Sequence, residues 1–441
     1  MPDPASVVFG SDRAFHGRPR RLSERPDGTP GERASQRPAI SADGAVVAFS
    51  SDAPNLVDGD TNHVTDVFVH DGHGLTRITN GNEISSSAVI SADGKVVAFA
   101  SRASNLVAGD DNHAEDVFVH DRDSGVTTCV SKNGNHFSNA PSISADGRFV
   151  AYASLADNMV AGDSNRKSDV FLFDRTSGDT RRVSVASDGA QARGASSEPR
   201  LSGDGRFVAF TSDAPNLVDG DTNRNSDVFV HDTRTGETAC VSRAANGETG
   251  NLGSGGPAIS ADGRFVAFRS FSTNLEHEAA LPAQGAPRHC HIFVHDRQTG
   301  QTVDATRLLE GDAWSADLSA DGRFLTYTTS GQVQVCDMET LETVLVSTPD
   351  GEARANGESY AGTLSPDGRQ IAYASEASNL VKGPRPRGAQ VYVVQNPAPA
   401  LRRARVTLPA EARENPRVIS GEDFVIIDGI RVPKRAESRC R

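Results

Sequence analysis

Apolar residues along this chain come in short bursts separated by polar turns, and no stretch shows the spacing of an amphipathic helix. One unit shows the rule. A short apolar stretch, Pro141-Ser142-Ile143-Ser144, ends in the turn Ala145-Asp146-Gly147. Asp-Gly suits a tight hairpin, because Gly takes positive φ freely and Asp tolerates the left-handed region. Arg148-Phe149-Val150-Ala151-Tyr152-Ala153 follows, rich in strand formers and too short for a helix. A longer loop leads to Asp169-Val170-Phe171-Leu172-Phe173-Asp174, and a Thr-Ser-Gly turn to Thr180-Arg181-Arg182-Val183-Ser184. The pattern predicts four strands per unit.

The unit repeats. Ile40-Ser41-Ala42-Asp43-Gly44 recurs with its Asp at 93, 146, 204, 262, 321 and 367, giving gaps of 50, 53, 58, 58, 59 and 46 residues. A single four-stranded unit cannot bury both faces of its sheet, whereas radial packing of copies can. The expected fold is therefore all-β: a single β-propeller of seven four-stranded blades, with eight as the alternative count. The Ser-Ala-Asp-Gly-Arg-Phe-Val-Ala-Phe element, Ser-Pro-Asp-Gly at Ser365 to Gly368, resembles the TolB-like, WD-repeat-like propeller family over roughly residues 6–406. That resemblance implies a platform fold and no particular chemistry. A Gly-x-Ser-x-Gly nucleophile elbow is absent, which removes the serine-peptidase branch of the family.

The ends extend the picture. Residues 6–23 read as the outer strands of an incomplete unit and are expected to help close the ring, making 1–406 the propeller. Residues 407–441 read as linker plus a C-terminal hairpin turning at Asp428-Gly429.

Composition narrows the function classes. Lys plus Arg is 45 against 58 Asp plus Glu, a net charge of −13, so nucleic acid is not an expected partner. Mean hydropathy is −0.43 and no apolar run approaches a membrane span, so a soluble protein is expected. With no visible leader, the expected location is the cytoplasm, or outside it if a leader has been removed. Five scattered cysteines form no CxxC pair. Cys129 and Cys240 occupy the same repeat position and read as buried strand residues.

The loop between the second and third strands carries the most suggestive chemistry. Its first and fourth copies spell Asp-x-Asp-x-Asn-x-x-x-Asp: Asp58, Asp60, Asn62 and Asp66, then Asp219, Asp221, Asn223 and Asp227. The second and third keep Asp110, Asn112 and Asp116, and Asp163, Asn165 and Asp169, with Ala108 and Ala161 at the first position. Alternating oxygen ligands resemble the start of an EF-hand loop, so calcium is the first candidate cation. Two departures count against it: position six is His63 or Arg224 rather than Gly, and no Glu follows at position twelve. The competing reading is structural, with Asx turns at Asp60 and Asn62 and backbone bonds to Asp66. The recurring Val-His-Asp at His70, His120, His231 and His295 reads as a tie between blades.

Symmetry breaks in the last three units. The fifth replaces the acidic loop with a segment holding His277, His289, Cys290 and His291, which makes zinc the second candidate cation and His289 and His291 the candidate catalytic groups. The sixth shortens the loop to Ser330-Gly331-Gln332 beside Trp314, suggesting a notch with Trp314 and His277 as walls. The leading functional expectation is a non-catalytic binding and interaction scaffold with calcium in its acidic loops. The alternative is a propeller-fold lyase or hydrolase with its site on blades five to seven.

Overall fold

The computed structural model describes residues 17–275, 289–309, 311–349 and 354–398, and three C-terminal strands at 418–420, 424–427 and 430–433. Blade one comprises Ser35–Ile40, Val47–Ser51, Asp66–His70 and Leu75–Arg77, each antiparallel to the next. Seven such sheets follow one another, and the first strand of each lies against the first strands of both neighbours. These first strands therefore form the wall of a central channel. The blade count is seven because the outermost strand of blade seven comes from the N-terminus. Arg20–Arg21 pairs with Gln390–Gln395, Arg20 opposite Val393 and Arg21 opposite Tyr392. Gln390 reinforces this closure: it accepts from the Ser23 hydroxyl at 2.8 Å and donates to the carbonyls of Gly31 and Arg33.

The repeated turn has two physical roles. In Ser41-Ala42-Asp43-Gly44, the Ser41 hydroxyl donates to Asp43, and Asp43 accepts from the Ala45 N–H. Gly44 has φ 71°, which an L side chain resists. The glycine also gives room. At Gly205, Gly263 and Gly322 a Cβ would collide with Phe149, Phe207 and Phe265 of the preceding blade. The small residue beside it links blades directly, Ala42 N–H to Ala92 carbonyl at 2.8 Å, and so on round to Ala320 N–H to Pro366 carbonyl. Pro366 has no N–H to continue the chain, so Gln370 of blade seven reaches the Asp43 carbonyl instead, at 3.4 Å.

Between the sheets the core is apolar. A stacked aromatic pair crosses the second and third strands of most blades, as in Phe49 with Phe68 and Phe210 with Phe229, both at 5.9 Å. Such pairs contribute about 0.5–1.5 kcal/mol beyond area burial. Blade six replaces the second ring by Gln334, which accepts a hydrogen bond from Tyr327.

One feature of the first strands bears on function. Each carries a bulge, with the register slipping by one residue between, for example, Gln36 and Ala39. At the bulge Arg37, Ser87, Ala140, Glu198, Gly256, Ser315 and Ala361 all have φ between 50 and 59°. Six of the seven are not glycine. Bulges of this kind re-aim side chains, here around the channel. The C-terminal strands Val418–Ser420, Phe424–Ile427 and Ile430–Pro433 form a separate antiparallel sheet, with Ile427 opposite Ile430; the expected turn at Asp428-Gly429 lies outside the described residues.

Candidate active site in the channel mouth

The repeated acidic loops resolve into hydrogen-bonded structure. Asp66 is fully buried and accepts from the Thr79 hydroxyl at 2.6 Å and the Asn62 amide at 2.9 Å. Asp116 with Ser131, Asp169 with Ser184 and Asp227 with Ser242 repeat the first bond. Position six takes the left-handed conformation without glycine: His63, His113, Arg166 and Arg224 have φ between 54 and 59°. Asp58 stands in solvent, paired with Arg25 at 3.0 Å, away from the buried carboxylates. Among the described residues no three His, Cys, Asp or Glu side chains converge on a metal position.

The four loops nonetheless differ in charge. In blade one Arg77 pairs with Asp60 at 2.6 Å and with Asp66 at 3.4 Å. In blade three Arg182 sits 3.6 Å from Asp163 and 3.7 Å from Asp169. The same strand position in blades two and four is Cys129 and Cys240. Asp110 with Asp116, and Asp221 with Asp227, thus have no guanidinium between them. Burial raises the pKa of Asp116 and of Asp227, and Asp227 is pushed up to about 6.

The Val-His-Asp histidines are structural. His231 and His295 each meet a fourth-strand threonine at 2.9 Å, and those threonines donate to carbonyls of the preceding blade, Thr238 to Val185 and Thr302 to Arg243. Burial depresses both imidazoles to about 4, so they stay neutral near pH 7. In blade five, His277 lies outside the described residues. His289 and His291 address different carboxylates, Asp312 at 3.6 Å and Asp304 at 2.8 Å, while Cys290 between them is buried. The structure therefore does not bring His289, Cys290 and His291 together.

A different constellation occupies the channel mouth. First-strand starts pair with second-strand ends, so they open on the same face as the acidic loops. There, opposite Gly255, blade five carries Arg269, where the other six blades have Ser50, Ala100, Ala153, Thr211, Thr328 and Ala374. Gly255 and Gly256 leave space above it: a Cβ on Gly256 would strike the Arg269 guanidinium. Arg269 pairs with Glu198 of blade four at 3.2 Å, and Glu198 also accepts from the Gly256 N–H and the Thr211 hydroxyl. Burial opposes ionisation of Glu198, but the Arg269 charge and these hydrogen bonds outweigh it and hold the carboxyl below its usual range. Both remain about one-third exposed, 34% and 38%.

Beside this pair stand two rings. Trp314, 41% exposed on the first strand of blade six, meets Phe271 edge to face at 6.1 Å. The loop that would cover it is reduced to a tight turn through Ser330 and Gly331, both at positive φ. Trp314 thus stands partly exposed beside the shortened turn with Phe271 as its companion, while His277, the other expected wall, lies outside the described residues. Sequence reasoning missed Arg269, Glu198, Phe271 and the Gly255-Gly256 gap. Aligning the second strands of the seven units would have exposed Arg269, the lone charged residue in its column.

Fold and site together describe a seven-bladed β-propeller whose chemistry is concentrated at one sector of the channel mouth. No protein-family model matches the chain, and no curated protein matches it. Among solved structures it is similar to an oligogalacturonate lyase in complex with manganese, at TM-score 0.55 and 14% identity, over 88% of this chain and 96% of that one. A second oligogalacturonate lyase, from Vibrio parahaemolyticus, matches at TM-score 0.51 and 10% identity, over 87% and 92%. A putative TolB from Agrobacterium tumefaciens matches at TM-score 0.40 and 17% identity, over 64% and 82%. At these identities the likeness is one of fold. It corrects the leading functional expectation even so. A non-catalytic scaffold is overturned by two near-full-length likenesses to lyases, and the enzyme alternative is carried forward.

Proposed function

We propose that this chain is a propeller-fold enzyme of the lyase class, acting on an acidic oligosaccharide at the channel mouth over blades four to six. The observation that carries the reading is the exposed Arg269, held by Glu198 and uncovered by Gly255-Gly256. A planar guanidinium matches a carboxylate in bidentate fashion. In a protein of net charge −13, a guanidinium at the channel mouth gives an anionic sugar a place to dock. Trp314 and Phe271 offer ring faces for the apolar side of a pyranose. The oligogalacturonate lyase likenesses supply the substrate class.

A hydrolase has less support. Hydrolysis of a glycosidic bond generally uses two carboxylates flanking it, and Glu198, the carboxylate beside Arg269, is engaged in an ion pair. The two outcomes separate by product: elimination leaves a conjugated, ultraviolet-absorbing unsaturated uronate, and hydrolysis leaves a saturated one. Incubation with oligogalacturonates, followed by absorbance and by reducing-end assay, tests the reading. Absence of turnover by either method contradicts it.

A divalent cation is part of the same reading, prompted by the manganese of one neighbour and by the carboxylate pairs without arginine. The residues that fit best are Asp110, Asn112 and Asp116, and Asp221, Asn223 and Asp227, because Arg77 and Arg182 already fill the corresponding positions of blades one and three. Calcium or manganese there would neutralise buried charge and stiffen the loop face. The channel chemistry is left to the protein's own groups.

A further inference from the structure

We propose that a cavity between the outer strands of blades four and five is a second binding site, for a small sugar that carries an oxyanion beside a free hydroxyl, either a sugar acid or a sugar phosphate. The site is built from the outer edges of the blades, away from the channel mouth, and stands independently of the lyase reading.

The cavity exists because small residues stand where the preceding junction is filled. Between blades three and four, Arg181 of the fourth strand donates to the Thr233 carbonyl at 3.2 Å. Ser187 accepts from the Thr238 N–H at 2.9 Å and donates to the Thr238 carbonyl at 3.3 Å. One blade further on, the same positions are Ala239 and Ala245. The threonine tie is kept, since Thr302 donates to the Arg243 carbonyl at 2.8 Å as Thr238 does to Val185. The two alanines do not reach across, and a cavity of about 400 Å³ remains, lined by them with Arg243, His295 and Arg297. That is room for a small ligand.

The residues that come with the space are cationic. Arg243 stands in place of Val185, and Arg297 in place of Thr233. At the Arg297 position, Arg122 and Arg175 of blades two and three pair with the preceding blade, Asp71 at 2.7 Å and Asp121 at 3.5 Å. The corresponding Asp232 is instead held through both oxygens by Arg206 of its own blade. Arg297 is left with the Gly263 carbonyl at 2.6 Å and the face of Phe207 at 4.3 Å. Arg243 holds the Gly247 carbonyl at 2.9 Å, and its buried Nε–H has no acceptor among the described residues. Neither guanidinium has a carboxylate within 4.0 Å among the described residues. Glu237, which also lines the cavity, is exposed to solvent. Two guanidiniums without ion pairs, one from each blade, suit an oxyanion. Burial works against the Arg297 charge more strongly than Asp232 supports it, and a bound anion would offset that.

His295 supplies the other half of the ligand. Thr302 donates its hydroxyl proton to the Arg243 carbonyl, so the neutral imidazole donates Nδ1–H to the Thr302 oxygen at 2.9 Å. Nε2 is then an acceptor without a partner among the described residues, and it matches a hydroxyl donor. An oxyanion next to an O–H is what sugar acids and sugar phosphates share.

Isothermal titration calorimetry on the full chain tests this with galacturonate, glucose 6-phosphate, acetate and glucose. Saturable binding of a sugar anion is expected, tighter than acetate and absent for glucose, and the tighter sugar anion distinguishes acid from phosphate. Arg243→Gln and Ala239→Arg should each weaken it ~10-fold or more, the first by removing a charge and the second by filling the cavity as Arg181 fills its counterpart. Ala239→Arg copies a residue that blade three already carries, which keeps the test available if Arg243→Gln does not fold. Arg269→Ala, at the channel mouth, should leave this binding unchanged. The proposal is overturned if neither sugar anion binds, or if acetate or glucose binds as tightly. Affinity within about threefold of wild type in folded Ala239→Arg, or loss of binding in Arg269→Ala, overturns it as well.

Discussion

Arg269 of blade five reaches Glu198 of blade four at 3.2 Å, through a gap that exists because residue 256 has no side chain. Arg269 stands at a position that is neutral in the other six blades, and Glu198 is the one acidic residue among the seven bulge positions. The expected consequence is specific. Arg269→Ala should raise KM for an acidic oligosaccharide by ~10-fold or more, as loss of a bidentate ion-assisted contact does. Steady-state kinetics on folded variant decide the point.

Gly256→Ala tests the same gap from the other side. The new methyl would occupy the space of the guanidinium, and the backbone there has φ 59°. Left-handed backbone costs an alanine about 1–2 kcal/mol, so a modest fall in melting temperature should accompany displacement of Arg269. Activity should fall further than stability does.

Trp314 is the lone tryptophan of the chain, and it is 41% exposed at the mouth. Its emission therefore reports on that sector alone. Titration with oligogalacturonate should shift or quench it, and Phe271→Ala should weaken the response. A saturating ligand that leaves the emission unchanged would place binding elsewhere.

The acidic loops carry a pH signature. Asp227 titrates at about 6 in the folded protein, above the ordinary carboxylate range, because burial outweighs its bonds to Ser242 and Asn223. Its folded form thus binds the proton more tightly than the unfolded chain does. That contribution to stability is fully present below the unfolded pKa and is lost as pH rises through about 6. Cys240→Arg would supply the charge that Arg182 supplies in blade three. It should stabilise the protein at pH 8 and flatten the decline above pH 6, as read from melting temperature against pH. Calcium or manganese added to chelator-treated wild type should act in the same direction, and Asp221→Ala should abolish that rise.

Ring closure has its own test. The buried Gln390 amide serves Ser23, Gly31 and Arg33 at once. Gln390→Ala leaves those groups unsatisfied, each at about 1–3 kcal/mol. The denaturant midpoint should fall markedly, with the fold retained.

The propeller was legible because its information is local. Each Asp-Gly turn and each short apolar burst specifies a hairpin by itself, and the blade count followed once Arg20–Arg21 supplied the missing outer strand. The acidic loops were legible as a motif and ambiguous as chemistry. Asn62 and Asp66 use their oxygens and N–H groups on one another, a choice that ligand spacing alone cannot reveal. The channel groups were illegible for a geometric reason. Glu198 and Arg269 are more than a repeat apart in sequence and meet only because blade four packs beside blade five and the bulge re-aims Glu198. His289 and His291, two residues apart in sequence, turn to separate carboxylates.

The most direct measurement is the ultraviolet absorbance of a mixture of the purified full chain with oligogalacturonate, run beside Arg269→Ala. The account predicts growth of an absorbing unsaturated product with the wild type and a much slower growth with the variant. Saturated product, no product, or equal rates for the two proteins would contradict a lyase site at the channel mouth.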